Sequence, residues 1–212
     1  MFPGCALRGD LMYGLPQATE LNKQLPKKGI LAKAKLNPKG RAEFDADISK
    51  LAIVAEISLT TTNLPPGDSV AAFYVIQVSL RRKDYKQKNI MQLAKLIGQN
   101  LLFVLEYEGQ ARLAVYHTKL LQSDWIPLEE VVIKLSGLDL DAVWENIVIL
   151  AGGVKVEAGY TLDEQIMADE EREKLRRKIN KLERLARNEK QPRRKFELVQ
   201  EVRKMVNKLE GH

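Results

Sequence analysis

The sequence predicts an α/β protein: a mixed β-sheet with flanking helices, followed by a basic C-terminal helical hairpin or short coiled coil. Three observations carry this. Residues 70–80 (VAAFYVIQVSL) open with seven consecutive apolar residues, as a strand buried on both faces does. Residues 101–107 (LLFVLEY) form a second such run, and the stretch 89–97 between them has apolar residues at helical spacing. Beyond residue 162 the periodicity becomes heptad-like and the charge balance changes.

The chain divides accordingly into a possible extension over 1–11, an α/β domain over 12–156 and a hairpin over 157–212. Met12 offers a second start, so 1–11, which include Cys5, read either as an alternative-start extension or as residues foreign to the natural chain. Residues 19–25 read as a short helix, with Thr19 near its cap, Leu21 and Leu25 four apart, and Pro26 as stop. Residues 30–34 read as a short strand, and 37–40 (NPKG) as a turn. Residues 44–50 fit helix or extended chain equally, whereas 52–59 alternate as a strand does. Thr60, Thr61, Thr62 and Asn63 extend that strand into a polar edge, and 65–68 (PPGD) ends it.

Within 70–80, Ile76, Val78 and Leu80 share one face and Gln77, Ser79 and Arg81 the other. A buried strand that turns polar on one face at its end marks a place where a sheet opens to solvent or ligand. Helix 89–97 ends at Gly98, and residues 108–110 form a short hairpin loop leading to a strand over 111–117. A right-handed crossover follows if 70–80 and 101–107 are parallel. Trp125 belongs to a docked loop, and 131–135 to a final edge strand. A helix over 140–150 starts near Asp139 or Asp141 and turns Val143, Ile147 and Leu150 inward, with Trp144 bordering that stripe. Leu175, Ile179, Leu182 and Ala186, then Phe196, Val199, Val202, Val206 and Leu209, give two helices one apolar stripe each.

The formal net charge of +6 lies in the C-terminal fifth: residues 169–212 hold 15 Lys/Arg and 9 Asp/Glu, and the rest is balanced. A single cysteine excludes an internal disulfide and a thiolate-rich zinc site, and a reducing cytoplasm is the expected location. No apolar run reaches the roughly 20 residues of a membrane-spanning helix, and no membrane partner is expected. The sequence lacks Gly-x-Ser-x-Gly, Walker-type and Gly-x-Gly-x-x-Gly motifs, which argues against serine-hydrolase and nucleotide-hydrolysis chemistry. His117, at a strand end, is commonly a packed or solvated residue there.

Asp45, Asp47 and Glu56 are the candidate catalytic set. Carboxylates converging at a sheet edge hold Mg²⁺, which activates water against a phosphodiester, and Lys50, Arg81 or Lys83 would steady the developing charge. This resembles in outline the restriction-endonuclease-like nucleases, which place an acid before a Glu/Asp-x-Lys on a neighbouring strand. The corresponding tripeptide here, Gln77-Val78-Ser79, carries neither acid nor lysine. Arg81, Arg82 and Lys83, with Arg176, Arg177, Lys178, Arg193, Arg194 and Lys195, are the candidate nucleic-acid or partner contacts. Glu170, Glu171, Glu173, Glu183 and Glu189 lie among the helical ones, a mixture usual for a solvated helix face.

The runs 44–48 (FDADI), 61–64 (TTNL), 99–109 (QNLLFVLEYEG), 115–119 (VYHTK) and 141–146 (DAVWEN), with the Trp125 loop, resemble a bacterial family of uncharacterised proteins. The resemblance runs from about Gly14 to the hairpin. Members often lie beside helicase and DNA-methyltransferase genes in restriction-type defence loci, so the resemblance implies an accessory role in DNA restriction or phage defence. It brings no catalytic residues with it. The expectation is therefore a non-catalytic accessory subunit that docks through its hairpin onto a helicase or methyltransferase, with DNA as a further partner. The alternatives are a Mg²⁺-dependent nuclease with a degenerate motif, and a self-associating protein whose C-terminal helices form a homodimer. No cofactor is expected, Mg²⁺ entering only under the nuclease reading.

Overall fold

A computed structural model describes residues 12–34, 36–157 and 159–210. The 1–11 extension, with Cys5, lies outside the described residues. The chain divides into two compact units, the boundary in the sequence falling between Val154 and Lys155.

The first unit is built on a seven-stranded mixed sheet, ordered β1 (Glu20–Gln24), β2 (Ile48–Ser58), β3 (Ala72–Leu80), β4 (Asn100–Tyr107), β5 (Gln110–Tyr116) and β6 (Leu120–Gln122). A short β7 (Ile126–Pro127) also pairs with β5. All neighbours are antiparallel except β3 and β4. The helix α4 (Gln87–Ile97) makes the crossover between those two, closed by Gly98 at φ 67°. Glu108 and Gly109, both at positive φ, turn β4 into β5, as a two-residue hairpin loop on twisted strands requires.

One face of the sheet packs Ile76, Val78 and Leu80 with Phe103 and Leu105 against Ile90 and Leu93 of α4 and Phe44 of α2 (Pro38–Asp47). On the other face Phe73 meets Trp144 of α5 (Leu140–Gly152), ring centroids 5.2 Å apart. Asp139 caps α5 by accepting from the Ala142 N–H at 2.8 Å. Asp141 accepts from the Val70 N–H at 2.7 Å, tying the loop before β3 to the same helix start.

Several local expectations are corrected. Residues 20–24 are the edge strand β1, not a helix. Leu21 is 39% exposed there, and Asn22 at φ 44° sits at a register irregularity against β2. Pro26 does not end a helix but precedes α1 (Lys27–Lys33), which replaces the expected strand. Asn37 caps α2 by accepting from the Gly40 N–H, so the Pro38-Lys39-Gly40 signal opens a helix. Thr60–Asn63 is not an extended edge: Ser58 and Thr61 form a capping box that starts the one-turn helix α3 (Leu59–Thr62), and Asn63 closes it at φ 58°.

Residues 131–135 do not form a strand. Val131 and Ile133 are buried and Val132 exposed, a strand-like alternation, yet the Ile133 N–H pairs with the lone Tyr13 carbonyl rather than with a ladder. In α5, Leu150 is exposed, while Trp144, Val148 and Ala151 are buried beside Val143 and Ile147.

The second unit consists of α6 (Leu162–Asn188) and α7 (Pro192–Glu210), packed as an antiparallel hairpin around the three-residue link. Thr161 and Glu164 form a capping box at the start of α6. Ile179 and Ala186 of α6 are buried; among the described side chains of α7 none is buried.

Candidate functional site

Asp45, Asp47 and Glu56 do not meet. Asp47 ends α2, and its carboxylate is fully buried. One oxygen accepts from the Arg82 guanidinium, and the other from the Lys86 backbone N–H at 2.8 Å and Asn89 Nδ2 at 2.7 Å. Three donor groups thus consume this acid in joining the α2–β2 corner to the segment that leads into α4. Asp45 is exposed and pairs with Lys27 Nζ at 2.8 Å. Glu56 lies across from Tyr74 near the far end of β2, nine residues from Asp47, about 30 Å along an extended chain. Among the described residues no group of three or more His, Cys, Asp and Glu is placed to hold a metal.

The polar end of β3 does open into clefts, as its alternation predicts. Lys50 of β2 and Glu106 of β4 both register with Ser79, so the three side chains share a sheet face and the outer two stand about 10 Å apart. Gln77 Nε2 donates to one Glu106 oxygen at 2.8 Å, and the Tyr13 hydroxyl donates to the other at 2.5 Å. Gln77 divides two cavities. One of about 450 Å³ is lined by Lys27, Ser49, Lys50 and Ser79. The other, of about 650 Å³, is lined by Tyr13, Glu106, Leu128 and Glu129. Tyr13 takes a left-handed backbone, φ 55°, uncommon outside glycine. Burial, and then the Glu106 carboxylate beside it, push its hydroxyl well above the usual tyrosine range.

Neither Glu106 nor Tyr13 emerged from the sequence as a site residue. The available signal was a carboxylate interrupting the apolar run of β4. Gln77 and Ser79 stand where an acid-x-Lys chemistry would need its acid and base, and Glu106 supplies a carboxylate one strand over. The arrangement can accept hydrogen bonds or a cation on the Glu106 side and an anionic group on the Lys50 side.

The first basic cluster is dispersed. Arg82, 47% exposed, is committed to Asp47. Lys83 Nζ donates to Gln110 Oε1 at 2.7 Å and lies 5.4 Å from the centre of the Trp125 ring, over which the Arg112 guanidinium also sits. These cations hold the Trp125 loop in place. Arg81 is exposed, and His117 is half-buried in the turn between β5 and β6.

On the hairpin, Arg177 pairs with Glu173, Lys178 with Glu201 at 4.0 Å, Arg193 with Glu197 and Arg194 with Glu189, each at 3.5 Å. Arg176 and Lys195 are exposed without an ion pair among the described residues. The hairpin charges are also segregated. Residues 176–197 carry ten Lys/Arg against three Glu, whereas 162–173 carry six Asp/Glu against one Arg. Charge is therefore concentrated at the tip of the hairpin rather than spread along it.

A family model described as a domain of unknown function, DUF4391, matches residues 13–209, and the chain belongs to that family. No curated protein and no solved structure matches it.

Proposed function

We propose that this member of the DUF4391 family is a non-catalytic accessory subunit of a DNA restriction or anti-phage system. It docks through its C-terminal hairpin onto a helicase or methyltransferase that works on DNA, with the DNA backbone as a neighbouring contact. The supporting observation is the hairpin itself: a separate compact unit whose tip carries a dense basic patch beside exposed Leu185 and Phe196. Such a patch steers association with an acidic or nucleic-acid-bearing partner. The structural use of Asp47 is consistent with this reading, since it leaves the expected acidic set dispersed. The test is co-purification of the helicase or methyltransferase with tagged protein. The full chain is expected to retain the partner and a chain ending at Val156 to lose it; equal retention would refute docking through the hairpin.

A second reading, a Mg²⁺-dependent nuclease, draws on one observation, the Lys50–Ser79–Glu106 row at the mouth of the two cavities. Mg²⁺ is commonly held by one or two carboxylates together with substrate phosphates, and Glu106 with Lys50 would supply a carboxylate and a phosphate contact. Mg²⁺-dependent cleavage that disappears in Glu106→Gln would support it. Absence of cleavage of DNA and RNA by the wild-type chain, alone and with its partner, would remove it.

A further inference from the structure

We propose that a second copy of this chain completes the hairpin, two hairpins pairing antiparallel through α6 into a four-helix bundle. The proposal rests on reading the hairpin as the assembly element of the molecule and adds which partner it takes first.

Two independent features of the hairpin point to the same occupant. The first is apolar. α6 and α7 present Leu175, Leu182, Val199, Val202, Val206 and Leu209 at heptad-like spacing, yet all six stay half-exposed, and only Ile179 and Ala186 along that stripe are buried. Two helices cover one side of each other's stripe. A bundle core needs facing residues from further helices, and a groove of about 630 Å³ remains along this seam, lined by Leu175, Lys178, Lys208 and Leu209 among others.

The second is electrostatic. In the folded hairpin the basic second half of α6 lies beside the basic start of α7, so like charges are gathered at one end. A two-fold axis between Lys178 and Ile179 would set Glu170 and Glu173 of each α6 against Arg187 and Arg184 of the other copy, and Lys174 against its Glu183. Glu170 and Glu173 already form exposed pairs with Lys174 and Arg177 one turn on; such surface pairs are weak and exchangeable. A helix whose two halves carry opposite charge is self-complementary when antiparallel and self-repelling when parallel. Duplex DNA would answer to the basic tip alone. It would leave the apolar stripe and the acidic half unaccounted for, which favours the second copy.

The experiment is sedimentation equilibrium on the full chain. Wild type is expected at twice the 24.1 kDa chain mass. The triple reversal E170R/E171R/E173R should weaken the dimer by about tenfold or more. Adding R184E/R187E to the same chain should restore it, because the facing charges are then exchanged rather than lost. Circular dichroism on each variant checks that the helices persist. A wild-type chain that stays at 24.1 kDa across micromolar concentrations would overturn the proposal. So would a dimer indifferent to the triple reversal, or a monomer that binds duplex DNA through the same basic residues. Partner co-purification is read separately, so a monomer that still retains its helicase or methyltransferase defeats the dimer and leaves docking standing.

Discussion

Asp47 looked like a catalytic acid in the sequence and acts as a structural one. Its oxygens satisfy the part-buried Lys86 backbone N–H, a buried Asn89 amide and the Arg82 guanidinium. Replacing it with Ala strands those donors, and unpaired buried polar groups cost about 1–3 kcal/mol each. We expect Asp47→Ala to lower unfolding stability by roughly 3 kcal/mol, measured by urea denaturation, whereas Asp45→Ala, losing one exposed pair, should cost under about 1 kcal/mol. Loss of activity in Asp47→Ala would therefore report on folding before chemistry. Tyr13 makes a separate prediction. Its hydroxyl is held protonated by burial and by Glu106, above the ordinary tyrosine value of about 10. Above that pH the unfolded chain releases this proton while the folded chain keeps it, so stability falls as pH rises. Tyr13→Phe should flatten that alkaline decline by up to one proton, seen in melts between pH 9 and about 11; an unchanged slope would show that other groups, Tyr85 among them, carry it.

At the scale of elements, legibility followed the length of the signal. β3, α4 and β4 were readable because continuous apolar runs and a helical apolar stripe, with Gly98 after it, agree with the buried positions they occupy. Short segments were not. Leu21 and Leu25 have helical spacing, yet residues 20–24 pair with β2, because tertiary pairing overrides a four-residue cue. The Thr60–Thr62 run favours strand by composition, and Ser58 and Asn63 turn it into a capped helix. The site was less legible than the fold. The partners of Asp47 lie 35 to 42 residues away, and Glu106 gains meaning only beside Tyr13 and Gln77, far off in the chain. The join between α5 and β3 makes a prediction at this scale. A Cβ on Gly67 would lie 2.1 Å from Asp141 Cγ, and Asp141 holds the Ser69 and Val70 N–H groups. Gly67→Ala should therefore displace Asp141 and destabilise by about 1–3 kcal/mol, read by thermal denaturation.

At the scale of the whole molecule, the proposed docking role falls to the hairpin and support to the sheet. The sheet unit buries its apolar runs on both faces and spends Asp47, Arg82 and Lys83 on its own joints. The hairpin unit keeps half-exposed apolar positions and a concentrated basic tip, the features that association uses. The exposed basic residues at the start of α7 are suited to testing this, since their side chains are surface groups whose reversal leaves the helix seam in place. The most direct measurement is a titration of the helicase or methyltransferase partner with full-length wild type, R193E/R194E/K195E and Glu106→Gln. The triple reversal is expected to weaken binding by about tenfold or more, while Glu106→Gln binds as wild type does. Equal binding by the hairpin variant, with loss in Glu106→Gln, would contradict docking through the hairpin and move the working surface to the sheet.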